Sequence, residues 1–226
     1  MTQLALPPTL PDDPTLDELR TALAMPVARN AAFDGWTSAA TASAAYELGV
    51  DADLARLAFP GGATDMIAAW FAAVDAELET QCPPALLAGM KIRQRITHLL
   101  ETRFEIVAPD KEAQRRAMAI LSMPQNAALA ARLLWRAADH MWRLAGDTAT
   151  DFNHYTKRMT LSAVYASSVI VFVDDDSEDF EDTRAFLARR IDNVMQFEKV
   201  KAQAKKRREN LPSLSRFIGR LRYPAT

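Results

Sequence analysis

Three histidines, one cysteine and a short run of mixed charge are the residues whose types invite a chemical reading. His98, His140 and His154 fall on three separate expected helices, and none belongs to a paired ligand motif. A zinc site of the HExxH kind needs two imidazoles one turn apart on a helix face, and a di-iron bundle needs two facing Glu-x-x-His pairs; neither pattern occurs. Asp151-x-x-His154 has workable ligand spacing but stands alone, at what reads as a helix start. Cys82 precedes Pro83-Pro84 in an expected loop and reads as a structural thiol. As the only cysteine it excludes an internal disulfide framework. A phosphate-cradling glycine loop is missing, Gly61-Gly62 being a turn, and so is GxSxG. The expectation is a non-enzymatic chain with no catalytic residue, no metal and no cofactor.

The other chemistry-bearing stretch is residues 151–158, which mixes Asp, Asn, His, Tyr, Lys and Arg within two helical turns. It opens a helix whose centre, residues 159–173, is apolar or small all the way round, interrupted only by Thr160, Ser162, Ser167 and Ser168. A helix without a polar face is expected to be buried on all sides, and this one is too short for a bilayer, which takes about 20 apolar residues. Asp174, Asp175 and Asp176 stop it. Ser177 is placed to cap a following helix whose early turns hold Glu178, Asp179, Glu181 and Asp182 and whose later turns hold Arg189 and Arg190, an order that complements the helix dipole. The greasy end reads as a lipid-sized core or a dimer seam, and the polar end as a surface for a partner protein.

Composition supports helices throughout. Of 226 residues 49% are apolar, glycine is scarce at seven, and long Ala/Leu/Arg/Glu-rich stretches dominate. With no basic residue before Arg20 and no apolar run at the start, no targeting peptide is legible, and a cytoplasmic protein is the default expectation. Net charge is −2, unevenly spread. Residues 1–80 carry three basic against twelve acidic side chains, a net of −9, and the remainder carries +7, gathered from Lys199 onward. An acidic head and a basic tail call for different partners.

Taken in order, residues 1–14 hold four prolines and read as a flexible arm. Helices are expected at 17–32, 37–48, 51–59 and 64–80, the second and third joined at Gly49-Val50. Short helix, glycine turn and short helix is helix-turn-helix spacing, and the surroundings resemble the TetR-type regulator fold. A helix that reads DNA needs Lys or Arg beside the phosphates; this one carries Asp51, Asp53 and Arg56 in a segment of charge −9. The element over 15–80 therefore reads as a degenerate helix-turn-helix that binds no nucleic acid.

Residues 81–198 read as a lipid-binding and dimerisation domain, with helices at 85–107, 111–122 (capped by Asp110) and 126–145 (stopped by Gly146). Two tryptophans seven apart share a side of the third, and methionines recur on its neighbours, an adaptable interior suited to variable apolar ligands. From helical faces, Trp135, Met141, Trp142, Met159 and Tyr165 are expected to line or border a cavity. Residues 199–226 read as a basic linker and an amphipathic membrane helix. There Leu214, Phe217, Ile218 and Leu221 share one side at i, i+3, i+4, i+7, while Arg216, Arg220 and Arg222 sit elsewhere, the pattern of an interfacial anchor.

Gly146-Asp147, Asp151-Phe152-Asn153, Tyr155-Thr156-Lys157-Arg158, Tyr165, Asp176-Ser177, Asp179-Phe180, Asp182-Thr183, Phe186-Leu187 and Arg190-Ile191 together resemble the C-terminal signature of the ubiquinone-biosynthesis accessory family. These are TetR-like, lipid-binding proteins that assist the di-iron demethoxyubiquinone hydroxylase. The resemblance implies an all-α, TetR-like fold of about ten helices and a homodimer. It implies a pocket for an isoprenoid quinone or phospholipid, peripheral attachment to the inner membrane, and no catalysis by the chain itself. It also implies that Asp151, Asn153, His154, Tyr155, Lys157 and Arg158 dock the hydroxylase. The family often has Trp where His154 stands here, which predicts weaker docking or an altered partner pocket. A TetR-type, ligand-responsive transcriptional regulator is the alternative reading, and an enzyme acting on prenylated substrates a third.

Overall fold

A computed structural model describes residues 10, 11, 13–148, 150 and 152–209, with side chains of the last helix described only in part beyond Val194. Ten α-helices and no strand are found among the described residues. They are α1 (Leu16–Asp34), α2 (Ser38–Leu48), α3 (Ala52–Leu57), α4 (Ala63–Gln81), α5 (Pro84–Leu87), α6 (Ile92–Val107), α7 (Lys111–Leu121), α8 (Ala127–Leu144), α9 (Phe152–Asp174) and α10 (Glu181–Glu209).

Local chemistry explains most boundaries. Thr15 and Glu18 form a reciprocal capping box at the start of α1. Gly49 takes the left-handed conformation (φ 67°) after α2, and the Val50 amide closes back on the Ala45 carbonyl at 2.9 Å. That turn ends a helix cheaply only with glycine. Asp51 caps α3 by accepting from the Asp53 and Leu54 amides, and Arg56 is paired with Asp53 at 2.8 Å. The position of a reading helix is thus six residues long, with its one cation neutralised from within. α1 packs against α2, α3 and α4, around Trp36, Trp70 and a floor of alanines.

Three expectations need correction. The single helix expected at 85–107 is two, parted at residues 88–91. Arg95 holds the break open: its guanidinium donates to the carbonyls of Met90, Ala88 and, fifty residues away, Ala145. Asp110 does not cap α7; its side chain makes no capping bond and lies buried. Ser177 stands at the N-cap of a 3-10 turn, Glu178–Phe180, that runs into α10 at Glu181, but its side chain does not bond that turn's amides. Asp175 organises that turn instead: one carboxylate oxygen accepts from the Ser177 amide and hydroxyl at 2.9 and 2.5 Å, the other from the Thr183 amide and hydroxyl at 2.7 and 2.5 Å. Burial pushes the Asp175 carboxyl up, but those four hydrogen bonds outweigh it and hold its pKa down to about 2. Ser177 Oγ plays a lesser part, accepting from the Asp182 amide.

The second half of the chain is a helical layer in which α9 lies among α6, α7, α8 and α10. Contrary to expectation, α9 is not enclosed. Leu161, Val164, Tyr165, Val169, Phe172 and Val173 are buried, whereas Met159 and Ile170 are 66% and 59% exposed. The lack of a polar face leaves an apolar stripe open on a single chain.

Candidate functional site

The site is built where α8 turns into α9. Gly146, at φ 86°, ends the helix, and the Asp147 amide closes onto the Trp142 carbonyl at 2.9 Å. That turn aims the Asp147 carboxylate at the first turns of α9. Lys157 donates to one of its oxygens at 2.6 Å and Arg158 to the other at 3.0 Å. Arg158 also donates through Nε to Asp139 at 2.5 Å and to the His154 carbonyl at 3.2 Å, and Arg143 reaches Asp139 from outside at 2.7 Å. Two carboxylates thus hold a guanidinium that is only 2% exposed. Removing one partner of such a pair strands the others in low dielectric.

Arg158 is therefore no surface contact, as docking would require; it locks α8 to α9. The polar residues that do reach solvent sit around it. Tyr155 is 57% exposed. The His154 ring meets it edge-on at 5.2 Å, and both rings lie near Trp135. Lys157 spans Trp142, whose Nε1 donates to the Lys157 carbonyl at 3.1 Å. Asn153 is exposed beside them. Asp151 lies outside the described residues, as do the expected membrane-binding residues Leu214, Arg216, Phe217, Ile218, Arg220 and Leu221.

Two largely apolar grooves of about 250 Å³ each run along α9. The first lies between α6, α9 and α10. Ile92, Ile96, Leu161, Val164, Ile191 and Val194 form its walls, Trp142 its end, and Arg93, Asn153, Thr156 and Lys157 its polar edge. The second is walled by Phe71, Met118, Leu121, Leu133, Leu134, Val169 and Ile170, from α4, α7, α8 and α9. Arg103, Gln114 and Tyr165 form its polar end. Arg103 is 2% exposed. It donates to Asp75 at 2.5 Å and, through Nε, to the Tyr165 hydroxyl at 3.0 Å; Arg136 reaches the other Asp75 oxygen at 3.2 Å.

The five expected lining residues do not share a cavity. Trp142 borders the first groove and Tyr165 the second. Met141 is fully buried in the packed core, Met159 is open to solvent, and Trp135 joins the His154–Tyr155 aromatic group. Sequence reasoning missed the aliphatic walls. The pairs Leu161/Val164 and Ile191/Val194, three apart on successive helices, were the available signal. Among the described residues no three metal-ligating side chains gather, and no helix is long and apolar enough to cross a membrane.

Comparison with known proteins bears on residues 127–198, which match the COQ9 family model. The stretch that carries the resemblance, 146–194, lies inside that match. Human "Ubiquinone biosynthesis protein COQ9, mitochondrial" is 32% identical over 192 residues, 78% of this chain and 58% of that protein. The rat protein of the same name is 35% identical over 192 residues, covering 78% and 59%. "Probable ubiquinone biosynthesis protein coq9, mitochondrial" of Dictyostelium discoideum is 26% identical over 173 residues, covering 74% and 56%. The chain thus spans less than two thirds of the length of these relatives. Among solved structures, a TetR transcriptional regulator from Nitrosomonas europaea superposes with a TM-score of 0.63 at 23% identity, over 79% of this chain and 98% of that one. The expected TetR-like, all-α fold is borne out.

Proposed function

We propose that this chain, a homologue of the COQ9 proteins, is a non-catalytic accessory protein of ubiquinone biosynthesis that holds an isoprenoid quinone intermediate or similar lipid and presents it to the di-iron hydroxylase at a membrane surface. One observation carries the reading. The first groove and the exposed polar start of α9 are continuous, Asn153, Thr156 and Lys157 belonging to both. A lipid lying against Ile96, Leu161 and Ile191 would emerge beside Tyr155 and His154, where a partner would meet it. Polyisoprenoids are nearly insoluble, so a carrier needs an apolar trough, a docking face and a way to sit on lipid. The tail's Leu214–Phe217–Ile218–Leu221 side and its arginines suit the last role. The open Met159–Ile170 stripe supports a homodimer seam, since contiguous exposed apolar surface marks interaction sites.

A regulator reading has the fold likeness in its favour, but an acid-capped α3 whose Arg56 is already paired offers DNA no cationic footprint. Native mass spectrometry of the purified full chain tests the carrier reading. Co-purifying lipid is expected in the wild type and is expected to fall several-fold in Val164→Phe, which fills the first groove. A lipid-free protein that ignores liposomes would end the proposal, and salt-dependent binding to DNA would favour the regulator.

A further inference from the structure

We propose that the acidic head of the fold, α1–α3, is a docking surface for the basic tail, residues 199–226, of another copy of this chain. The apolar part of that surface is α3. Leu54 and Leu57 are 46% and 60% exposed and stand three apart, hence side by side on one helix face. Tyr46, on the last turn of α2, is 89% exposed. A reading helix would present polar and cationic side chains here; this one presents leucines among acids. Each of the three arginines of residues 13–65 is already matched, Arg20 to Asp65, Arg29 to Glu47 and Arg56 to Asp53, and eight acidic side chains leave the segment at −5. The tail is the complement in both respects. From Lys199 onward nine basic side chains stand against Glu209 alone, a net of +8. By spacing, Leu214, Phe217, Ile218 and Leu221 fall on one helical side, the arrangement that lays an apolar face on a partner's apolar face. Opposite charge around an apolar contact steers the encounter and fixes which surfaces meet.

The direction of α10 makes the contact one between molecules. α10 runs antiparallel to α6: Arg184, near its start, pairs with Glu105 at 2.9 Å, and Asp192, two turns on, pairs with Arg93. The Glu105 end of α6 leads to the head, where Trp36 Nε1 donates to the Ala113 carbonyl at 3.1 Å. α10 therefore points away from its own head. Its length from Asp192 to Glu209 carries the chain about 25 Å further, and the return along α6 is about 24 Å more. Residues 210–213 span at most about 14 Å when extended, too little to bring Leu214 back to its own α3. A head on one molecule and a tail on the next form a heterologous contact, so association grows with concentration. None of this requires either groove to hold a lipid.

Sedimentation velocity of the full chain over a range of concentrations tests the contact. The wild type is expected to form larger species at about 50 mM NaCl and to need about tenfold more protein to do so at about 500 mM, where exposed charges are screened. A head variant, Leu54→Ser with Leu57→Ser, and a tail variant, Phe217→Ser with Ile218→Ser, should each fail to form them alone. Mixed, the two should associate again, because one supplies an intact tail and the other an intact head. Growth that survives the head variant would mean that the tail meets another tail. No growth of the wild type would mean that the tail meets only an anionic bilayer. Either result, or a mixture no larger than its parts, would overturn the proposal. If a variant does not fold, a synthetic peptide of residues 199–226 added to the wild type takes its place. The peptide should dissolve the larger species, and their persistence would equally overturn the proposal.

Discussion

Arg158 and Asp147 face each other across the α8–α9 turn, guanidinium to carboxylate at 3.0 Å, with 2% and 5% of their side chains exposed. The pair is internal, although Arg158 belongs to a stretch, 151–158, that reads as surface. Replacing Arg158 with Ala would leave Asp147 and Asp139 facing a void, and should destabilise the fold by about 3–5 kcal/mol. Lys157→Ala should cost under about 1 kcal/mol, because Lys157 is 38% exposed and its charge is screened. Thermal or denaturant unfolding of the two variants checks the contrast; equal losses would mean that Arg158 is not the strut.

Tyr155 makes the opposite prediction. It is exposed, and its ring contacts are with Trp135 and His154. Under the proposed docking, Tyr155→Ala should leave the melting temperature within about 1–2 °C while weakening the proposed association with the hydroxylase at least tenfold, as for an aromatic anchor. Co-purification or surface plasmon resonance with the hydroxylase reads this. His154→Trp should strengthen the same association.

Asp175 predicts a defined acid limb. Its folded pKa, about 2, lies below the ordinary 3.8, so it contributes stability that is complete above pH 4 and is lost as pH falls through about 2. Asp175→Ala should lower stability at pH 7 by about 1–3 kcal/mol through the lost cap and the unmatched Thr183 donors. It should also flatten the curve between pH 4 and 2.

Asp110 predicts the reverse sign. Burial raises its carboxyl to about 6, with Arg29 pulling weakly the other way. The folded protein therefore binds a proton more tightly than the unfolded chain, and stability should rise as pH drops from about 6 to 4. Asp110→Asn should remove that slope and stabilise the protein at pH 7 by on the order of 1–3 kcal/mol. Unfolding curves at pH 4, 6 and 8 suffice.

Cys82 should stay silent. Burial pushes its thiol up, opposed by a weaker contribution from Thr102, and it is 0% exposed. Native protein should resist iodoacetamide for hours and react only once unfolded.

Local chemistry made much of this molecule readable in one dimension. Gly49, Asp51 and Gly146 end or begin helices through bonds to residues within a few positions, so their effects are written in neighbouring letters. The density of matches over 146–194 likewise carried the resemblance to the ubiquinone-biosynthesis accessory proteins. What residues far apart in the chain do to one another was not readable. Arg95 splits the helix expected at 85–107 by also reaching Ala145. Arg158 turns inward because Asp139 and Asp147 converge on it, and Asp110 sinks into the core where a cap was expected. The apolar second half also forms two grooves on different sides of α9, separating Trp142 from Tyr165, since a helical face says which residues are greasy and not which neighbours will cover them. Capping and periodicity act over one or two turns; burial and cavities depend on how whole helices pack, and only the folded chain decides that.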